Sequence, residues 1–465
     1  MKKYALILLL LVIAGTTSAQ TILNRFPLEL KKSSEYLQIL NAENAQKEYF
    51  TFVTDKEKCI LLKSNSALFL KDSLSIPRPH RDYDFMAGVT FSTSGHPQVY
   101  WVSKDYRQIK LVDFDLENRT STFLDYENNN SREKIVDAFT VDNIFYILSI
   151  TSENTLKFTH FSNSGKNEHE IDLGTKNTEN GNSIDRHLVS SIFDYGLTKI
   201  ESNLYTPLYM ATAKVKRYLI GSIYTLTFDV KNGTTICNIN LADFSFEKNA
   251  FPYDISNKNA GSNSFLLKDE LYQITANSTA ITVEGFDVKT KTSIGKYQAN
   301  SKEEISFKNS PLLLQAENGR VRTLKNTSKM LNKMDFSSLG ISIYTTPNYN
   351  LFTLGGVREV ASGGGLALAI GLGIGGALSG SDVMAGSDFI SESMQSIYFE
   401  SFFDYDFKHT NASFRPIYID ALGEFLNTTR PAVYNISTFK NFVILNYYDS
   451  KAKELVMRKF EDIVD

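Results

Sequence analysis

The chain is 465 residues long and nearly neutral at a formal charge of −3, with 24 Tyr and 32 Phe against a single Trp and two Cys. That balance excludes a basic nucleic-acid footprint, an acidic interaction tail and a disulfide-built scaffold. Abundant Tyr and Phe suit half-buried pleated surfaces, so the composition leans toward strands.

The N-terminus reads MKKYALILLLLVIAGTTSAQ: two lysines, an apolar run from Tyr4 to Ala14, then small residues up to Ala19. This is the order of a secretory signal peptide, residues 1–19, cut between Ala19 and Gln20. The apolar run is short for a membrane anchor, and no cysteine near the cut invites lipidation. The expected location is therefore periplasmic, outer-surface or secreted, and not integral to a membrane. Secretion by a eukaryote would make Asn232 and Asn427 glycan acceptors.

Beyond Gln20, short alternating runs recur with polar turns between them. An early one is EYFTFVTDKEK around Phe52. FMAGVTFS, PQVYWVSK, RQIKLVDFDLE and RTSTFLDYE follow over 85–127, and EKIVDAFTV, NIFYILSIT, NTLKFTHFS and KNEHEIDLG over 133–174. Each group reads as four consecutive antiparallel strands. Third strands are expected to end in an aromatic before a turn, at Phe114, Phe161, Phe228, Phe286, Phe403 and Phe460. The long interval from Phe286 to Phe403 reads as two beats, with GISIYTTP near Tyr344 filling it. Segments 137–161 and 263–286 also run in parallel, matching Phe139 to Phe265 and Tyr146 to Tyr272.

Repeated four-stranded meanders cannot bury both faces alone and must stack around a ring, so the expected fold is an all-β β-propeller. It would have about seven blades (eight also fit the length) and occupy 20–465 as one domain. Tandem β-sandwiches are the competing architecture, but they lack a regular four-strand beat. Cys59 and Cys237 lie in apolar runs and either pair or stay buried apart.

The oddest stretch is GGGLALAIGLGIGGALSG at 363–380, inside a Gly/Ala-rich insertion at 360–393 between two strands of a late blade. Its apolar run, Leu366 to Leu378, is too short to span a bilayer. Gly371 and Gly375, and Gly376 and Gly380, make GxxxG spacings that favour close packing in lipid. Gly371, Gly373 and Gly376 spell GxGxxG, yet no amphipathic helix or βαβ unit surrounds them, so no dinucleotide is expected. The stretch reads as a packed small-residue loop, with membrane-surface contact or self-association as the functional alternative.

Turns between second and third strands share one end of a propeller with the inter-blade connectors. The expected rim carries Arg78, His80, Arg81 and Asp82 in IPRPHRDYDF; Asp185, Arg186 and His187 in IDRHL; and Arg415, Asp420 and Glu424 between 411 and 431. Rigidly held loops commonly carry function. These ten are the candidate binding residues. A catalytic use would take His80 or His187 as base beside an Asp, or Asp420 and Glu424 as an acid pair on one helical face. Exposed acids and arginines more often only pair with each other.

The six histidines, at 80, 96, 160, 169, 187 and 409, have no HxH or HExxH spacing; EHE at 168–170 reads as a solvated strand edge. No metal, cofactor or nucleic-acid partner is expected, and no catalytic residue is assigned. The function expected is that of an exported, non-enzymatic binding or scaffold protein with a protein or carbohydrate ligand. The alternatives are a secreted carbohydrate hydrolase or lyase acting at the same face, and a membrane-surface or self-associating protein acting through 363–380.

Overall fold

The structure is a computed structural model that describes residues 20–31, 36–128, 132–162, 165–174, 187–230, 233–253, 260–315, 321–359, 394–412 and 414–462. Neighbouring runs pair antiparallel because their turns are tight. Between Val141 and Ile144, for example, Asp142 (φ 50°) and Asn143 (φ 62°) both take positive φ, the turn whose twist matches paired strands. Seven sheets form among the described residues, antiparallel except for one short added strand.

Blade 1 contains Gln38–Glu43, Tyr49–Thr54, Lys58–Ser64 and Leu70–Pro77. Blade 2 contains Phe85–Phe91, Pro97–Val102, Gln108–Asp115 and Thr120–Glu127; blade 3 contains Lys134–Val141, Ile144–Ile150, Leu156–Ser162 and Gly165–Ile171. Blade 4 contains Val215–Ile220, Ile223–Val230, Gly233–Asn240 and Phe246–Pro252; blade 5 contains Gly261–Leu267, Glu270–Ala276, Ala280–Asp287 and Ser293–Asn300. Blade 7 takes Tyr434–Phe439, Phe442–Asp449 and Glu454–Phe460, and its outer strand is the chain's own Gln20–Pro27. The register runs from Gln20 opposite Phe460 to Pro27 opposite Glu454, so the start of the chain closes the ring.

Blade 6 departs from chain order. Its inner strands are Ser338–Thr345, Asn350–Glu359 and Met394–Phe403, but the outer two, Leu313–Gln315 and Val321–Thr323, precede them in sequence. Asn350–Glu359 and Met394–Phe403 pair as direct neighbours, as expected for strands flanking the glycine stretch. Residues 360–393, with Gly371, Gly373, Gly375, Gly376 and Gly380, lie outside the described residues, as do residues 1–19.

Each seam has its own glue. Blades 1 and 2 share a cluster including Phe52, Trp101 and Phe114; blades 2 and 3 stack Tyr100 on Phe145, with centroids 4.5 Å apart. At the blade 4–5 seam the buried Lys216 Nζ donates to Asp229 and to Asn263, both at 2.6 Å. Tyr272 and Phe352 meet edge-to-face between blades 5 and 6. Asn41 Nδ2 donates to Asn435 Oδ1 at 2.6 Å where blade 1 meets blade 7.

Four helices are described: α1 (His187–Tyr195), α2 (Leu208–Ala211), α3 (Thr327–Met334) and α4 (Tyr418–Thr429). None is long and apolar enough to cross a membrane. Helix α1 packs Leu188, Val189 and Ile192 into the blade 3–4 seam.

After α1 the connector enters the ring. Thr198–Ile200 pairs parallel with the innermost strand of blade 4, and the chain then turns back along the inner strand of blade 6. There Ser342 Oγ donates to the Thr206 carbonyl, and α2 lies over Gly340, where a Cβ would stand 2.9 Å from Thr212 and 3.0 Å from Leu208. Asn263 Nδ2 donates to the carbonyls of Thr212 and Leu339, both at 2.8 Å, tying the returning chain to blades 5 and 6. Residues 198–214 thus lie inside the ring, against the inner strands of blades 4, 5 and 6.

Two sequence expectations need correction. Phe228 lies in a second strand, not a third, as does Phe52 of the early run. Both central strands of a blade are buried, so either can carry the aromatic. Tyr344 marks no extra blade: Ser338–Thr345 is the inner strand of blade 6, and the long interval is one blade lengthened by the detour through 301–337 and by 360–393. The matched segments are equivalent, since Phe139 pairs with Tyr146 and Phe265 with Tyr272 across the same two strands. Cys59 and Cys237 are both buried and form no disulfide with each other, lying in blades 1 and 4.

Candidate functional site

Strand direction sorts the loops between two ends of the ring. The connector from blade 1 to blade 2 lies at the end shared by second-to-third turns. Here Arg78 turns inward. Its guanidinium donates to the carbonyls of Pro79 at 3.2 Å, Tyr83 at 2.8 Å and Asp84 at 3.1 Å, and packs over Trp101. Burial is the main influence on its pKa, which it lowers. Arg78 therefore organises the connector. His80 and Asp82 face solvent, with Nδ1 3.0 Å from the carboxylate, and Arg81 beside them is exposed. His187 opens α1, while Asp185 and Arg186 lie outside the described residues.

The third group is elsewhere. The chain leaves Phe403 at the opposite end, and α4 climbs back from there to the inner strand of blade 7. Asp420 and Glu424 are one turn apart on α4, as expected, but near its start; Asp420 Oδ2 accepts the Ile417 N–H at 3.0 Å. Arg415 lies beside Tyr349, at the same end. The ten candidates therefore do not share one rim. A connector between a third strand and the next blade must traverse the ring, and blade 6 has such a connector because its outer strands come first in sequence.

Around Asp420 the structure assembles groups that the motif reading did not single out. Glu400 is directly opposite Thr353 on the blade 6 face that turns toward α4 and blade 7. Tyr398 is on the same face, two positions earlier. From the central connector comes Tyr205, whose backbone N–H reaches the Tyr418 hydroxyl at 2.6 Å. Asp462 accepts the Tyr418 N–H at 2.9 Å and the Tyr344 hydroxyl at 3.0 Å.

Burial, with Asp420 as a second negative charge, pushes the Glu400 carboxyl up to about 7. Burial also raises Asp420 and Asp462, against the hydrogen bonds they accept. Among the described residues, none of the three makes an ion pair with Lys or Arg. The signal for this site was legible: IYFESFF holds one carboxylate on the buried face of an aromatic strand. No group of three His, Cys, Asp or Glu among the described residues is placed to hold a metal ion.

The sheet order and the closure by Gln20–Pro27 define a seven-bladed β-propeller. Neither a protein-family description nor a curated protein matches the sequence. Among solved structures, the chain is similar to the Cps50 (Swd1) β-propeller domain of Myceliophteria thermophila, at 8% identity and TM-score 0.31, covering 94% of this chain and 99% of that one. The WD40 domain of SCAP from fission yeast gives 10% identity and 0.29, covering 95% and 91%; the Dos1 propeller gives 8% and 0.31, covering 90% and 77%. Propellers host many unrelated activities, so ligand and chemistry must come from this chain's own residues.

Proposed function

We propose that this protein is an exported, non-catalytic binding propeller of the cell envelope or secreted space, formed by residues 20–465. It meets a protein or carbohydrate partner on the end that bears the inter-blade connectors and segment 360–393. The observation that carries this reading is the chain packed inside the ring. Residues 198–214 lie against the inner strands of blades 4, 5 and 6, which leaves the loops and seams as the surfaces for contact.

The hydrolase alternative would use one of two separate sets: His80 with Asp82, which face solvent, or Asp420 with Glu424, one turn apart on α4. Export is supported by the order of residues at the N-terminus, and a cut after Ala19 would leave the closing strand Gln20–Pro27 whole.

Two measurements test the reading. Expression of the whole chain in a bacterial host, followed by mass analysis of the exported fraction, is expected to find an N-terminus at Gln20; retention of 1–19 in the cytoplasm overturns export. Gel filtration and liposome flotation then compare residues 20–465 with a version in which a short turn replaces 361–392. Loss of an oligomer or of lipid binding in the shortened protein supports that segment as the contact. Identical monomeric, lipid-free behaviour removes it from the binding surface.

A further inference from the structure

We propose that the seam between blades 6 and 7 binds an alkylammonium group, seated beside Glu400. This goes beyond the connector-face reading and does not depend on export. Its first support is charge. Glu400 is largely withdrawn from water, with the exposed Asp420 and the half-buried Asp462 nearby, and none of the three has a Lys or Arg partner among the described residues; a carboxylate so placed calls for a cation.

A second support is independent of the carboxylates. Thr353 is 3% exposed, and its buried hydroxyl makes no hydrogen bond of normal geometry, although the Tyr205 hydroxyl lies close by. A buried hydroxyl without a partner is costly, and this one stands directly across the strand pair from Glu400. An arriving donor would satisfy both groups.

The third support is the aromatic surround. Tyr205 and Tyr344 stack edge to face at 6.0 Å, and Tyr344 and Tyr418 at 5.7 Å, with Tyr398 beside Glu400. Tyrosine rings offer negative faces to cations. A metal ion fits less well, because the carboxylates do not converge as a coordination group. A guanidinium prefers a bidentate carboxylate, whereas an ammonium has three separate donors, which suits acceptors spread over Glu400, Thr353 and a tyrosine. The chemistry is the same for a free polyamine and for the lysine side chain of a partner protein.

The test is calorimetric titration of the chain from Gln20, which keeps every described strand. Its probes are spermidine, Nα-acetyl-lysine amide and the uncharged Nα-acetyl-norleucine amide. At pH 8 the two amines are expected to bind and the norleucine compound not to. Glu400→Gln is expected to weaken amine binding roughly tenfold or more, the loss of a charge-assisted contact. Lowering the pH to 5.5 weakens it too, as Glu400 takes up a proton. Thr353→Val, which keeps the side-chain shape, is a second variant should Glu400→Gln fold poorly, and it too lowers affinity. His80→Ala leaves binding unchanged. Tighter binding of spermidine identifies a free polyamine as the ligand; equal binding of the lysine compound identifies a partner's side chain. The proposal is overturned if no amine binds at pH 8, if the norleucine compound binds equally, or if Glu400→Gln and Thr353→Val both retain wild-type affinity.

Discussion

Replacing Asp137 by Asn tests how blade 3 grips both blade 4 and the chain in the centre of the ring. The Asp137 carboxylate is fully buried. It accepts from Arg217 Nε at 3.0 Å and from the Tyr224 hydroxyl at 2.8 Å, and Lys199 Nζ stands 3.1 Å away. Burial alone would raise its pKa; Lys199 and Arg217 outweigh burial and hold it below the ordinary value. At an effective dielectric near 20, a charge pair at about 3 Å is worth roughly 5 kcal/mol before desolvation. Breaking such a buried pair costs about 3–5 kcal/mol, because uncompensated charges remain inside.

The Asn amide still offers an oxygen to Arg217, and Arg217 keeps a 3.3 Å contact with the half-exposed Glu201. The expected loss is therefore near the lower end, about 3 kcal/mol. Urea unfolding should be followed by circular dichroism and by fluorescence of Trp101, buried in blade 2. Because the folded pKa is depressed, the stabilisation is present above the unfolded value of about 3.9 and fades as pH falls through the folded value. The difference between wild type and variant should shrink accordingly in acid. Since Lys199 belongs to the strand inside the ring, amide exchange over 198–212 should also speed up in the variant. A loss under about 0.5 kcal/mol, the range of ordinary surface substitutions, would refute the reasoning. So would an unchanged exchange rate over 198–212.

Other outcomes follow from the same geometry. Glu400→Gln should stabilise the protein at pH 8 by at most about 3 kcal/mol, from a carboxyl raised from 4.5 to about 7. The sign follows from the raised folded pKa: wild-type stability falls as pH rises between those two values, so the advantage of Gln vanishes near pH 4 in parallel thermal melts. Gly340→Val should cost about 1–3 kcal/mol by overpacking against Leu208 and Thr212, and should accelerate exchange in α2; unchanged exchange there contradicts the packed centre. Burial pushes the Cys59 thiol up to about 12, so it should resist alkylation in native buffer and react once urea unfolds blade 1.

Blades 2 and 3 were legible because chain order, strand order and turn length agree in them. Blade 6 was not. Its outer strands are three residues each and come ahead of the inner ones, so neither periodicity nor order betrays them. The same holds for Thr198–Ile200, whose parallel pairing inside the ring depends on tertiary contacts with Lys216 and Tyr218. His80 and Asp82 were found as a pair because they are near neighbours in sequence. The carboxylates of the blade 6–7 seam come from a strand, a helix start and the C-terminal tail, with Tyr205 arriving from nearly two hundred positions earlier. Only the lone Glu400 in an aromatic strand could have hinted at them.

The closing strand has a consequence for how the molecule is made. Among the described strands Gln20–Pro27 is synthesised first and its partner Glu454–Phe460 last. During synthesis that first strand must therefore wait with unpaired backbone edges, and loop closure over that span is slow compared with the local meanders of blades 2 to 5. Ring closure becomes the final folding step, and a chain interrupted anywhere before blade 7 leaves a sticky strand at its head. A circular permutant that joins the present termini and opens between blades 1 and 2 would make that pairing local, and it should fold faster and aggregate less.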